Sequence, residues 1–415
     1  MKTHNKLILL VFFLLNTTFI TAESIQLPSD QEIFIEEYGE STSKNHIFWL
    51  HSEHGISGEL QKMLLSISKQ HDIHILLPDW LDSYFIEPSR SSLEKIPQQD
   101  YEDVIAHYAK LYKSDLENFF VISSSRAAGL LLNATHHLQS QGLKKSFTGI
   151  IFISPYLQKQ APEIGKTPKY QAITSYSNLP LYVFQAERSP RFIPLPTLIK
   201  ELEKGGSPVF VHRLNNISGG FHARDKSDLT ETDMKAREDF PQQISNALSM
   251  LKLSNPAPLK PLARYEKNIR KRSTQNLQIV NFNTPTLTLN DLQGKPHKLL
   301  DYKEKIVLVS FWASWCRPCL EEMPSLVKLK EKYRDKLEIL AVNVGEDKTT
   351  IEKFTKAMNI NFPILQDLTS STTKSWKVYV YPSNYIVDKM GKLRYAAKGA
   401  LDWQDSEIEI LLEAL

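Results

Sequence analysis

A cysteine pair constrains this chain more than any other feature, because it lies between a strand and a helix. Cys316 and Cys319 are the only cysteines among the 415 residues. The apolar run 306–311 precedes them and has the composition of a buried strand. Apolar residues at helical spacing follow them over 320–329. The pattern therefore predicts that Cys316 lies at a helix start and Cys319 one turn inside the helix.

This placement favours a chemical role for the pair. A disulfide between residues three apart closes too small a loop to restrain the unfolded chain much. At a helix start, the unpaired N–H groups and the helix dipole stabilise a thiolate on Cys316, and Arg317 adds a positive charge. Pro318 suits the first helical turn, where its missing N–H would have no partner. We expect Cys316 to attack disulfides and the less exposed Cys319 to resolve the product.

Two other uses of a cysteine pair do not fit the sequence. A zinc site needs about four ligands, and there is no second cysteine pair to accompany His297. A haem-attachment motif needs a histidine directly after the second cysteine, where this chain has Leu320. We therefore expect neither a metal nor a cofactor.

The segment 276–415 resembles the TlpA/ResA branch of the thioredoxin superfamily. The resemblance covers the whole segment, because its motifs occur in the right order and spacing. They lie at 282–300 (a hairpin), 311–319 (the cysteine motif), 321–324, 340–344, 367, 376–378, 381–383 and 386–392. It implies a thioredoxin fold and thiol-disulfide oxidoreductase activity.

The same resemblance implies roles for further residues. Pro382 matches the cis-proline that faces the cysteine pair, and Glu322 matches an acid that exchanges a proton with Cys319. A solvent-exposed helix charge is the alternative interpretation of Glu322. Contact with the substrate is implied for Trp315, Arg317, Pro318, Tyr381 and Pro382. Ser383 departs from the threonine that is common at its position.

Residues 24–252 predict a separate α/β domain. Short apolar runs at 47–50, 73–77, 119–122, 147–153, 181–184 and 209–212 have the character of buried strands. Amphipathic patterns lie between them, including the face formed by Val104, Ile105, Tyr108 and Leu111. Further helices are expected over 127–139 and over 241–251, with Pro241 as the first residue of the latter. The alternation favours a mostly parallel sheet covered on both faces.

This domain resembles an α/β-hydrolase, with altered motifs. Ser125 follows the strand 119–122 where a nucleophile elbow would lie, although Ser123 and Ala127 replace both glycines of that motif. The resemblance implies a triad of Ser125, Glu187 and His222. The alternative is a hydrolase-like scaffold that serves for binding only.

The N-terminus and the linker complete the organisation. Lys2 and Lys6 precede the apolar run 7–15 and the small residue Ala22, which predicts a signal peptide over 1–22 and export to the periplasm. Retention of this segment as an N-terminal anchor is the alternative. Residues 253–275 are proline-rich and then basic, as in a solvated spacer. The formal charge of +3 is small and does not favour nucleic-acid binding.

These features predict an exported thiol-disulfide oxidoreductase that reduces protein disulfides. Its hydrolase-like domain would bind the client or a partner, and a membrane-bound thiol donor would resupply electrons. A bifunctional protein with an active serine hydrolase of esterase or peptidase type is the first alternative. A redox-inactive adaptor is the second.

Overall fold

The computed structural model describes residues 20–112, 118–143, 147–163, 165–262, 277–356 and 358–415. The chain forms two compact units, an N-terminal unit of Met1–Leu157 and Tyr170–Lys267 and a C-terminal unit of Gln158–Lys169 and Asn268–Leu415. Most of the predicted signal peptide and residues 263–275 of the predicted linker lie outside the described residues.

The N-terminal unit is built on a mixed sheet. Within the described residues it has eight strands in the order β1-β2-β4-β3-β5-β6-β7-β8. The strands are β1 (Ile20–Gln26), β2 (Glu32–Tyr38), β3 (Asn45–Leu50), β4 (Ile73–Asp79), β5 (Phe119–Ser124), β6 (Gly149–Ile153), β7 (Leu181–Arg188) and β8 (Val209–Ser218). β1 and β2 pair antiparallel with their neighbours, whereas the strands from β4 to β8 pair in parallel.

Helices cover both faces of this sheet, as the alternating pattern predicts. They are α1 (Gly58–His71), α2 (Trp80–Ser83), α3 (Gln98–Leu111), α4 (Ala127–Ser140), α5 (Leu195–Lys204) and α6 (Glu231–Lys252), with short 3-10 helices at Leu93–Lys95, Ala172–Tyr176 and Lys226–Asp228. The buried faces of α1 and α6 share one apolar core with the sheet, and those of α3, α4 and α5 share the other. The predicted α/β class is therefore confirmed.

Several expected element bounds are wrong. Pro241 lies inside α6, which begins at Glu231 because Thr230 and Asp233 form a reciprocal capping box there. Leu111, expected on the buried face of α3, is the last residue of that helix and is 61% exposed. The strand expected over 147–153 begins at Gly149. No strand was expected where β1 and β2 lie.

The C-terminal unit contains a second mixed sheet. Among the described residues its six strands have the order β14-β13-β12-β15-β16-β9, and β10 and β11 form a separate hairpin. The strands are β9 (Gln278–Ile279), β10 (Thr288–Asn290), β11 (Pro296–Lys298), β12 (Ile306–Trp312), β13 (Leu337–Val344), β14 (Ile364–Asp367), β15 (Ser383–Val387) and β16 (Leu393–Lys398). β12 pairs in parallel with β13 and antiparallel with β15. Both β10–β11 and β15–β16 form hairpins where the motifs predict them.

The helices of this unit are α7 (Arg317–Tyr333), α8 (Lys348–Thr355), α9 (Ser371–Ser375) and α10 (Ser406–Glu413), with 3-10 helices at Leu299–Tyr302 and Arg334–Lys336. Every residue of β12 is buried, so the strand that leads to the cysteines runs through the core. In the part of the chain that the structure describes, no helix combines the length and apolar character needed to cross a membrane.

Candidate active site

The cysteine pair lies where the central strand β12 turns into helix α7. Cys316 is the N-cap of α7, as its spacing predicts, and its sulfur accepts a hydrogen bond from the N–H of Cys319 at 3.3 Å. A disulfide bond joins Cys316 to Cys319, so the structure represents the oxidised form. After reduction, the same N–H and the helix start would face a thiolate on Cys316.

The two sulfur-bearing residues differ in exposure as expected. Cys316 is 6% exposed and Cys319 is 1% exposed. Cys316 is therefore the member of the pair that another molecule reaches first, while Cys319 lies inside the first helical turn. This order fits an attacking cysteine followed by a resolving one.

Arg317 contributes less to the cysteine site than its sequence position suggests. Its side chain is almost fully exposed, and its Nε lies 3.0 Å from Oε1 of Glu321 one turn along the helix. The nearby carboxylate offsets the guanidinium charge, and water screens what remains. The helix start, with Pro318 in its first turn, is thus the main source of positive potential at Cys316.

A buried carboxylate holds the turn that carries the cysteines. Glu346, in the loop after β13, accepts hydrogen bonds from the N–H (2.7 Å) and the hydroxyl (2.6 Å) of Ser314. The side-chain amide of Asn343 donates to the same carboxylate at 2.8 Å. These bonds tie the active-site turn to the neighbouring strand. Glu346 belongs to none of the sequence motifs, although a carboxylate just after a buried strand is a signal that could have identified it.

Glu322 on helix α7 is 3% exposed, so the interpretation as a solvent-exposed charge is wrong. Its Oε1 accepts hydrogen bonds from the indole N–H of Trp403 (2.7 Å), the amide of Asn384 (2.9 Å) and the N–H of Leu401 (3.0 Å). Its Oε2 receives no hydrogen bond from the described residues. Burial raises the pKa of Glu322 to about 7, although the three hydrogen bonds lower it. A carboxyl group with this pKa is present in both protonation states near neutral pH.

Trp315, Tyr381 and Pro382, which are expected to contact the substrate, lie in two loops of the C-terminal unit. The Tyr381–Pro382 bond is cis, and the ring of Tyr381 meets that of Trp315 edge to face with centroids 5.4 Å apart. Trp315 directly precedes Cys316, so this contact brings the cis-proline loop to the cysteine loop. Neither the N–H nor the carbonyl of Tyr381 bonds to any other described residue.

Among the described residues, no hydrogen bond joins any two members of the expected hydrolase triad. Ser125 follows β5 with a φ of 55°, but its hydroxyl bonds to Glu53 and Arg191. Glu187 accepts a hydrogen bond from the N–H of Asn216 at 2.7 Å. His222 packs against aromatic side chains of the core, and its buried Nδ1 has no partner among the described residues. Burial lowers the pKa of His222 to about 4.

The structure also offers no alternative metal centre in what it describes. Among the described residues, no group of three or more His, Cys, Asp or Glu side chains is placed to hold a metal ion.

Comparisons with known proteins place the C-terminal unit in a family. Residues 280–396 match the AhpC/TSA family model. The thiol-disulfide oxidoreductase ResA of Geobacillus thermodenitrificans (strain NG80-2) is 38% identical over 122 residues, which cover 29% of this chain and 70% of that protein. The thioredoxin-like protein YneN of Bacillus subtilis (strain 168) is 34% identical over 132 residues, which cover 31% of this chain and 77% of that protein.

Two solved structures illustrate the same similarity. The exposed lipoprotein thioredoxin Etrx1 from Streptococcus pneumoniae strain TIGR4 is 28% identical with a TM-score of 0.29. The match covers 31% of this chain and 99% of the Etrx1 chain. StoA from Bacillus subtilis is 22% identical with a TM-score of 0.27, and the match covers 31% of this chain and 96% of StoA. Because the TM-scores are low, the assignment depends on the sequence relatives. Through its C-terminal unit, this chain belongs to the ResA-like thiol-disulfide oxidoreductases of thioredoxin fold.

Proposed function

We propose that the C-terminal unit reduces disulfide bonds in protein clients outside the cytoplasm. The observation that carries this proposal is the position of Cys316 as the N-cap of α7, with Cys319 more deeply buried in the first turn. A helix start favours the thiolate, which is the form of cysteine that attacks a disulfide. The apolar N-terminal segment, with its two lysines, supports export of the chain.

The reaction would proceed in two exchanges. The Cys316 thiolate attacks one sulfur of the client disulfide, which forms a mixed disulfide and releases the other client sulfur as a thiolate. Cys319 then loses its proton and attacks Cys316, which releases the second client sulfur and forms the Cys316–Cys319 bond. Two electrons pass from the cysteine pair to the client, and the client thiolates take up two protons.

Glu322 would take the proton that Cys319 must lose. It lies one turn after Cys319 on α7, at a spacing that places both residues on one helix face. A carboxyl group with a pKa of about 7 both accepts and returns a proton at neutral pH. Its Oε2, which receives no hydrogen bond from the described residues, is the oxygen that would carry the proton.

The client chain would bind along the cis-proline loop. The unpaired N–H and carbonyl of Tyr381 can hydrogen bond to an extended peptide. Trp315, Arg317, Pro318 and Pro382 would contact the client around the sulfur. The N-terminal unit would bind the client or a partner protein, and a membrane-bound thiol donor would reduce the pair after each cycle.

A trapping experiment tests this function. Cys319→Ser removes the resolving sulfur, so we expect clients to accumulate as mixed disulfides on Cys316 when the full chain is expressed in a cell that exports it. Cys316→Ser is the matched control and should trap nothing. Trapping by Cys316→Ser, or no trapping by Cys319→Ser, would contradict the proposed mechanism.

The direction of electron flow needs its own measurement. The reduction potential of the pair, measured by equilibration with glutathione or a stronger dithiol, should lie near that of reducing thioredoxins. A potential near those of strong disulfide oxidants would overturn the reducing direction.

A further inference from the structure

A cluster of polar side chains lies in the loops that follow β3, β5 and β7 of the N-terminal sheet. β3 pairs with β4 on one side and β5 on the other, so the strand order reverses between β3 and β5. In open α/β sheets, the crevice outside the carboxyl ends of such strands is where ligands bind. Glu53 lies in the loop after β3, and Ser125 and Arg126 follow β5 directly.

These residues form one hydrogen-bonded group with Arg191 from the loop after β7. The Ser125 hydroxyl donates to Oε1 of Glu53 at 2.8 Å and accepts from Nη2 of Arg191 at 2.9 Å. The N–H of Arg126 donates to Oε2 of Glu53 at 3.2 Å, and its Nε lies 3.5 Å from Oε1. Thus the carboxylate of Glu53 is held by a hydroxyl, a backbone N–H and a guanidinium.

The group has more hydrogen-bond donors than Glu53 can satisfy. Nη1 of Arg126 is buried and has no hydrogen-bonding partner among the described residues. Within the same described ranges, no carboxylate lies within ion-pair distance of Arg191, which as a whole residue is half-buried. Both guanidiniums lie over the ring of Tyr156, at 4.2 and 5.7 Å from its centroid. Leaving such donors without acceptors is costly, so an external acceptor would be stabilising.

The cluster is also reachable from solvent. Ser125, Arg126, Tyr156 and Arg191 are all half-buried, whereas Glu53 beneath them is buried. Arginine donors are suited to oxyanions, because their planar fork pairs with two oxygens at once.

We propose that Ser125, Arg126 and Arg191 form a binding site for a small oxyanion, of the carboxylate or phosphate class. Glu53 is the internal counter-ion that prevents the two arginines from repelling each other when the site is empty. The site is independent of the redox reaction, so Cys316→Ser should bind the anion as the wild type does.

The same contacts argue against Ser125 as a nucleophile. In a nucleophile elbow, the N–H after the serine stabilises the negative oxygen that forms during acyl transfer. Here that N–H belongs to Arg126 and is directed at Glu53. The serine hydroxyl bonds to a carboxylate and an arginine in place of a histidine base. Ser125 is therefore a ligand-binding residue in this proposal.

Isothermal titration calorimetry of the full oxidised chain tests the proposal. Sodium acetate and sodium phosphate serve as the two probes, each against sodium chloride at matched ionic strength, and they distinguish a carboxylate from a phosphate preference. We expect saturable binding of at least one of them at a single site. No saturable binding of either anion would overturn the proposal.

Variants locate the site. Arg191→Gln should weaken binding about tenfold to a hundredfold, the usual effect of losing one charge-assisted hydrogen bond. Glu53→Gln should strengthen it, because the variant removes the competing negative charge. Arg213→Gln, which changes an exposed arginine of β8, is the control and should leave binding unchanged. Equal affinities in Arg191→Gln and the wild type would place the anion elsewhere and overturn the proposal.

A serine-reactive fluorophosphonate tests the role of Ser125. We expect no adduct on the wild-type chain. Labelling that disappears in Ser125→Ala would show an activated nucleophile and overturn the assignment of Ser125 to a binding site.

Discussion

Burial of the Glu322 carboxylate should make the stability of the C-terminal unit depend on pH, and Glu322→Gln should remove that dependence. Burial raises the pKa of Glu322 from its ordinary 4.5 to about 7. The folded state therefore holds a proton between these two pH values that the unfolded state releases. By linkage, the contribution of Glu322 to the free energy of unfolding falls as pH rises through this window and is constant on either side.

The size of the effect follows from the difference between these two pKa values. One pKa unit corresponds to about 1.36 kcal/mol, so the fall between pH 4.5 and pH 7 amounts to about 3 kcal/mol. Glutamine keeps an oxygen that accepts from Asn384, Leu401 and Trp403 but carries no charge. Relative to the wild type, the free energy of unfolding of Glu322→Gln should therefore increase by about 3 kcal/mol between pH 4.5 and pH 7.

Urea unfolding of the oxidised full chain, at a series of pH values from 4 to 8, measures this difference. Pulse proteolysis with peptides identified from 277–356 assigns the transition to the C-terminal unit. Glu321→Gln is the matched control, since that neighbouring carboxylate is exposed and pairs with Arg317. Its free energy of unfolding should stay within about 0.5 kcal/mol of the wild-type value at every pH. A flat difference for Glu322→Gln would refute the claim that the buried carboxyl group titrates near neutral pH.

Two further predictions concern the N-terminal unit. A Cβ on Gly205 would lie 1.9 Å from the carbonyl oxygen of Ser177. Gly205→Ala should therefore destabilise this unit by about 1–3 kcal/mol in urea unfolding. Gly58→Ala is the control and should not destabilise it, because nothing lies within 4 Å of a Cβ there. The carboxylate of Asp233 accepts four hydrogen bonds at the start of α6 and is fully buried, so Asp233→Ala should cost at least about 3 kcal/mol. The exposed Asp239→Ala should cost about 0.5 kcal/mol. Equal costs within either pair would contradict the packing described.

The redox unit was predictable from the sequence because its signals are local. The apolar run of β12, the cysteine spacing and the helical pattern of α7 all lie within one continuous segment. They predict the N-cap position of Cys316 without any knowledge of distant residues. The partners of Glu322 were not predictable in this way, because Asn384, Leu401 and Trp403 come from remote parts of the chain.

The N-terminal unit shows what local patterns miss. The order of strands and helices predicts the α/β class, but the side chains that meet Ser125 depend on how the loops after β3 and β7 fold back over the sheet. Glu187 is a substitute for the usual triad aspartate and lies in β7, whereas the loop after β7 directs Arg191 at Ser125. Likewise, Pro241 has the sequence context of a helix start, although the capping box at Thr230 begins α6 at Glu231, ten residues earlier.

Alkylation of the reduced full chain tests the central claim, that the start of α7 makes Cys316 the reactive thiolate. The rate of iodoacetamide modification is measured at each cysteine by mass spectrometry over a range of pH. Cys316 should react much faster than Cys319 and should reach its maximal rate below the pH at which a free cysteine ionises. Equal rates at the two sulfurs, or a Cys316 that reacts only at the pH of an ordinary thiol, would contradict the account.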